Sequence, residues 1–202
     1  MSDLLRLDRL VISQKAKLIE LTNQYQIQDE DGNDVGYIQQ EGQSKVRKAL
    51  RFVSDFDQFL THRLAVYDAS GTKLIELVRP GKLFKSRLEV TDGEGRKVGQ
   101  IVQKNVFGKI RFDLVGGSGE NLGQIRAENW RAWNFAIVDP TEREVARITK
   151  KWKGLVRATF TTADHYIVEV DPSLQGDARL LVVGAAAAVD TALKQDDRGL
   201  LG

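Results

Sequence analysis

Apolar and polar residues alternate with a period of two along most of the chain, in short runs that come in pairs. Tyr25-Gln-Ile-Gln-Asp29 leads through Gly32 to Val35-Gly36-Tyr37-Ile38, and Leu64-Ala-Val-Tyr-Asp68 leads through Gly71 to Leu74-Ile75. Leu88-Glu-Val-Thr-Asp92 leads through Gly95 to Val98-Gly99-Gln100-Ile101. Ile110-Arg-Phe-Asp-Leu114 leads through Gly116 and Gly119 to Leu122-Gly123-Gln124-Ile125, and Phe135-Ala-Ile-Val-Asp139 leads to Val145-Ala146-Arg147-Ile148. In four of the five pairs an Asp stands six residues before the apolar residue that opens the returning run. In three of them the third residue after that Asp is Gly.

Alternation with period two marks a strand buried on one face. An Asp side chain accepts hydrogen bonds from its own turn backbone, and Gly supplies the positive φ that a tight turn requires. Each pair is therefore predicted to be a β-hairpin. The small residue after the returning apolar position (Gly36, Gly99, Gly123, Ala146) predicts a bulge or a crowded backbone. Five hairpins make about ten strands, and further strands are expected within Leu10–Leu21 and His165–Val170. So many short antiparallel strands form a sandwich or a closed barrel, and closure removes exposed edges.

The pattern changes between Asp177 and Lys194. Leu180-Leu-Val-Val-Gly-Ala-Ala-Ala-Ala-Val189 is apolar on every face, and four consecutive alanines favour helix over sheet. A helix apolar all round lies in a protein core or in a membrane. A span needs about twenty apolar residues, whereas the uncharged run here is ten, between Arg179 and Asp190. The expectation is a core helix enclosed by the sheet; the alternative is a short membrane-inserting hairpin or anchor. A single domain over 7–194 is expected, with 195–202 as a frayed, disordered tail.

Composition is ordinary for a chain with a real core: 202 residues, 42% apolar and 29% charged, with a formal net charge of +2. The charge is unevenly spread. Glu20 to Leu60 holds eight acidic and four basic residues, Arg79 to Arg111 nine basic and three acidic, Glu142 to Arg157 six basic and two acidic. Basic segments of this kind face anionic lipid or nucleic acid, or are the solvated outer faces of strands. The near-zero net charge and the lack of a groove-reading motif argue against nucleic acid. Cysteine is absent, which excludes disulfides, thiol catalysis and Cys-ligated zinc. MSDLLRLDRL has charges scattered among its apolar residues, and Ser2 stands where a myristoylated chain needs Gly, so neither a secretory signal nor a myristoyl anchor is expected.

Catalytic chemistry is hard to find. His62 and His165 read as strand residues. Gly116-Gly-Ser-Gly119 has Glu120 where a nucleophile elbow needs Gly, so it reads as a glycine turn. Asp29-Glu30-Asp31 with Asp34 has no EF-hand spacing and reads as a solvated turn. A non-enzyme is expected.

Three stretches carry a resemblance to a known family. They are the opening Leu7-Asp8-Arg9-Leu10-Val11-Ile12 through Leu21 with Tyr25-Gln-Ile27, the hairpin rhythm of the middle, and the end from Ala163-Asp164-His-Tyr166 through Gly184-Ala185 to Asp190. Together, over about Leu7 to Leu193, the chain resembles the phospholipid scramblase family, which shares the tubby-like fold with LURP-one-related proteins. The resemblance implies a mainly β fold: a closed antiparallel β-barrel of about twelve strands enclosing a C-terminal hydrophobic α-helix. It also implies binding of anionic phospholipid at a membrane surface and, in some members, calcium-dependent movement of lipid between leaflets. Carried over position by position, the family's calcium segment keeps only Asp164, with Thr162, Ser173 and Gln175 at the other acidic positions. No cofactor is therefore expected, and Asp164 is the one residue inherited for calcium.

The expected lipid contacts are Lys150, Lys151, Lys153 and Arg157, with Lys82, Lys85 and Arg87 as a second patch. Trp152, with Trp130 and Trp133, supplies interfacial aromatics or core packing. The expected partner is anionic phospholipid or a membrane surface, with a protein partner as a further possibility and no nucleic acid. The expected location is cytoplasmic, with peripheral attachment at the inner face of the plasma membrane. The alternatives are a soluble protein-interaction or regulatory module on the same barrel, and lipid scrambling by the chain itself.

Overall fold

The computed structural model describes residues 2–14, 24–41, 62–80, 87–105, 108–128, 134–151 and 165–199. For Gln14, Gln24, His62, Lys151 and residues 189–199 it describes the backbone alone. A 3-10 turn at Asp3–Arg6 precedes twelve strands: β1 (Arg9–Gln14), β2 (Gln24–Gln28), β3 (Asp34–Glu41), β4 (His62–Asp68), β5 (Lys73–Arg79), β6 (Arg87–Asp92), β7 (Lys97–Gln103), β8 (Arg111–Gly116), β9 (Asn121–Ala127), β10 (Asn134–Val138), β11 (Glu144–Lys151) and β12 (His165–Val170). One helix, α1 (Gly176–Gly199), follows. Every strand pairs antiparallel with its neighbours in chain order, and β1 pairs with β12 to close the barrel. The expected mainly β, twelve-strand barrel is therefore present, with β1 beginning at Arg9.

The hairpins β2–β3, β4–β5, β6–β7, β8–β9 and β10–β11 share one turn. The first turn residue donates its N–H to the carbonyl of the fifth, as in Asp68 to Thr72 (3.0 Å) and Asp92 to Arg96 (3.0 Å). The fourth residue has positive φ in all five: Gly32, Gly71, Gly95, Gly119 and, without the freedom of glycine, Glu142. In four turns the Asp carboxylate accepts from the amides two and four residues on; Asp139, for example, takes Thr141 N–H (2.8 Å) and Arg143 N–H (3.0 Å). The β8–β9 turn begins with Gly116 and takes its carboxylate from the fifth position instead. There Glu120 accepts from Ser118 Oγ (2.7 Å). A Cβ on Gly116 would occupy the space of that carboxylate.

After each turn the register slips by one residue. The apolar residue that opens the returning run is thus a bulge, and it and the next residue both face inward. In the β2–β3 and β6–β7 hairpins two successive inward residues leave no room for a side chain on the second. A Cβ on Gly36 would collide with the Tyr67 carbonyl, and one on Gly99 with the Val115 carbonyl.

Inward rows such as Ile75-Leu77 on β5 and Ile137-Phe135 on β10 close on Leu181, Val182, Val183 and Ala185 to Ala188 of α1, all buried. Helix α1 fills the barrel. Its backbone stays helical through Gly199, past the Lys194 at which the sequence pattern ends and into the segment expected as a disordered tail. No helix among the described residues is long and apolar enough to cross a membrane.

Candidate functional site

An up-and-down barrel has two distinct ends. The five tight turns lie at one, together with the 3-10 turn and the start of α1. The connections β1–β2, β3–β4, β5–β6, β7–β8, β9–β10 and β11–β12 leave from the other. The ends differ in chemistry.

The tight-turn end is built on engaged carboxylates. Hydrogen bonds from Asn33, Ser70, Thr141 and Ser173 hold Asp29, Asp68, Asp139 and Asp171 below the usual Asp range. The Arg96 guanidinium makes two bonds to Asp177 (2.8 and 3.0 Å) and a third to Asp92 (2.9 Å). It joins the first turn of α1 to the β6–β7 turn and lowers the Asp177 pKa. Arg179 is 4% exposed and donates to the carbonyls of Leu5 (2.6 Å), Leu7 (2.6 Å) and Leu174 (3.2 Å) and to Asp8 (3.1 Å). One buried guanidinium so ties the N-terminal segment, the β12–α1 turn and the helix together.

The described donors of the inherited calcium segment are engaged within the chain. Asp171 is taken by Ser173 N–H (2.8 Å) and Oγ (2.6 Å), Asp177 by Arg96, and a hydroxyl stands at position 173 where the ion needs carboxylate. Asp164 lies outside the described residues. No group of three His or acidic side chains is gathered for a metal among the described residues.

At the connection end the structure describes two of the expected lipid contacts in full, and they part company. Strand parity turns Lys150 inward after Ala146 and Ile148, so it is 9% exposed, with Nζ 5.7 Å from the Tyr166 ring centre. It is a lining residue of the barrel, not a surface contact. Arg87, which opens β6, is exposed. Lys151 ends β11 with its side chain undescribed; Lys82, Lys85, Trp130, Trp133, Trp152, Lys153 and Arg157 lie outside the described residues.

Two cations beside Arg87 were not singled out in the sequence. Lys109 and Arg111 sit on the β7–β8 connection and the start of β8, both exposed. Their loop is held by Asn105, which donates to the Lys109 carbonyl (2.9 Å) and accepts from Arg111 N–H (2.9 Å), while Gln103 donates to the Asn105 carbonyl (3.0 Å). Arg87, Lys109 and Arg111 make no ion pair among the described residues. Several cations elsewhere on the wall do. Arg147 binds Glu144 (2.7 Å) and Glu128 (2.6 Å), Lys73 binds Glu41 (3.0 Å), and Arg126 binds Glu142. The signal for Lys109 and Arg111 was their membership of the basic run from Arg79; their exposure needed the strand register.

On the opposite side of the wall the Tyr37 and Tyr67 rings stack with centres 5.0 Å apart. The Tyr67 hydroxyl donates to Glu41, and burial together with that carboxylate pushes its pKa up to about 12.

Comparison with known proteins agrees with this architecture. A solved X-ray structure of a protein from Arabidopsis thaliana superposes with a TM-score of 0.52 at 12% identity, over 91% of each chain, which speaks to fold alone. No curated protein matches the chain. The family model Scramblase matches residues 1–193, and the chain belongs to that family.

Proposed function

We propose that this protein binds anionic phospholipid as a peripheral membrane protein, from the cytoplasmic side and at the inner leaflet, where anionic lipid is concentrated. The observation that carries the reading is the set of exposed cations at the connection end that make no ion pair among the described residues, in a chain of the Scramblase family. Each cation near an anionic surface contributes about 1 kcal/mol to binding, and the attraction fades over a Debye length. The enclosed helix supports attachment from outside the bilayer, because its apolar residues are already covered by the barrel. The role is one of binding rather than catalysis.

Co-flotation with vesicles tests the reading. Vesicles containing phosphatidylserine are expected to retain the protein at low salt and release it at high salt, while neutral phosphatidylcholine vesicles retain little. Equal recovery with both lipids would refute the reading and leave a soluble interaction module on the same barrel.

A further inference from the structure

We infer that the outer wall of β6–β8 at the connection end, through Arg87, Lys109 and Arg111, is the face that docks on the anionic bilayer, and that it reads surface charge rather than the stereochemistry of one headgroup. The inference rests on the lipid-binding reading above and adds to it a place, an orientation and a kind of selectivity.

The register carries the placement. Arg87 pairs with Val102 on β7, and Gln103 pairs with Phe112 on β8. The next pair is Lys104 with Arg111, joined by the Lys104 N–H to Arg111 carbonyl bond (2.9 Å). Arg87, Lys104 and Arg111 alternate with the inward residues Leu88, Gln103 and Phe112, so all three face outward. Strands lie about 4.8 Å apart, which places the three within one patch about 10 Å wide. Lys109 extends it from the Asn105-held loop.

The charges in this patch are arranged against the stability of the strand pair. Arg111 stands directly opposite Arg126 across β8–β9, both outward. Like charges in that relation repel. Arg126 is bound by Glu142 and by Gln124 (2.9 Å), while Arg111 makes no ion pair among the described residues and feels the Glu142 carboxylate only at longer range. Of the other carboxylates on this wall, Asp113 lies 3.4 Å from Lys104, and exposed Glu89 is one outward position further from the connection end. A negatively charged surface relieves the repulsion.

The absence of stereochemical reading follows from exposure. All three cations are solvent-exposed ends of long side chains on a convex wall. Of the buried polar side chains described at this end, Arg79, Gln103 and Lys150 belong to the inward rows of β5, β7 and β11, and His165 opens β12, away from the β6–β8 wall. A rigid headgroup pocket needs preorganised partners; a row of mobile cations responds to charge density. The tight-turn end, with its carboxylates, then points away from the membrane.

The experiment compares wild type, the triple variant Arg87→Gln/Lys109→Gln/Arg111→Gln, and Lys97→Gln, which removes an exposed cation at the tight-turn end. Partitioning is measured on vesicles containing phosphatidylserine, phosphatidylglycerol or phosphatidylinositol bisphosphate, adjusted to equal surface charge. All substituted side chains are exposed, and thermal melting confirms that each variant folds. The triple variant is expected to lose roughly a hundredfold in partitioning, about fivefold per cation. Lys97→Gln is expected to stay within about twofold of wild type, because its site lies away from the docked face. Wild type is expected to bind the three vesicle types alike. A triple variant that partitions like wild type, or a Lys97→Gln loss as large, would overturn the docking face while leaving lipid binding intact. A strong preference for one headgroup at matched charge would overturn the charge-reading claim. A wild type indifferent to all three would overturn the lipid reading and this inference together.

Discussion

Five residues at positive φ turn the five hairpins, and four of them are glycines. At Gly95, with φ of 84°, an added Cβ would meet nothing within 4 Å, so a side chain there is opposed by backbone conformation alone. Gly95→Ala is expected to destabilise by about 1 kcal/mol, and Gly95→Asn by less, because Asn tolerates the left-handed region. Urea unfolding midpoints measure both; equal midpoints for Ala and wild type would contradict the turn assignment. Gly36 and Gly99 have the opposite reason for being small, since the neighbouring strand's carbonyl fills their Cβ positions. The Asp, the Gly and the small residue after the turn were all visible in the sequence as one repeated pattern. The bulge was only suggested by it, because a one-residue slip is a relation between two strands that neither strand states alone. Glu142 in the fifth turn carried no such mark. It holds a glycine position because its carboxylate binds Arg126.

At the scale of elements, α1 is defined by small residues meeting a closed wall. Gly184 lies with its Cβ direction 3.3 Å from the Leu77 methyl and 3.7 Å from Val90. Gly184→Ala gains about 1 kcal/mol of helix propensity and asks the Leu77 side chain to give slightly, so it is expected to be neutral or stabilising. Gly184→Leu is expected to destabilise by about 1–3 kcal/mol through overpacking. Calorimetry on the pair distinguishes an enclosed helix from one facing solvent, where both would gain. Arg179 holds the same helix by its entry. Arg179→Met leaves the Leu5 and Leu7 carbonyls without their donor, and limited proteolysis is expected to cut the N-terminal segment faster than in wild type. Sequence pattern identified the helix and its enclosure, since ten uncharged residues are too few to span a bilayer. It did not identify Arg179 as the tie, because the acceptors that fix the N-terminal segment, the Leu5 and Leu7 carbonyls, are main-chain groups some 170 residues away. Lys150 shows the same limit. A lysine in a basic run looks like a surface contact, and only strand parity turns it inward.

For the whole molecule, the turn carboxylates and one half-buried tyrosine make opposite demands on pH. Asp29, Asp68, Asp139, Asp171 and Asp177 have pKa values below their unfolded ones. Their contribution is present above about pH 4 and is lost as pH falls through the folded values. Tyr67 has the reverse sign. Its folded pKa of about 12 exceeds the ordinary 10.0, so stability is full below the ordinary value and declines as pH rises toward the folded one. Tyr67→Phe is expected to remove that alkaline decline, read from urea midpoints across the range. Among the described residues, the engaged carboxylates of the tight-turn end and the exposed cations at the starts of β6 and β8 also give the barrel a direction. In the proposed lipid-bound state, that direction sets which end faces the anionic surface.

The most direct test is hydrogen exchange of the protein alone and bound to phosphatidylserine-containing vesicles, followed by peptide. Binding is expected to slow exchange in the Gln103–Arg111 segment, leave the Asp92–Arg96 turn unchanged, and leave the amides of Leu181 to Ala188 slow in both states. Protection at the Asp92–Arg96 turn without protection at Gln103–Arg111 would contradict the orientation. Faster exchange of Leu181 to Ala188 on binding would contradict an enclosed helix in the membrane-bound protein.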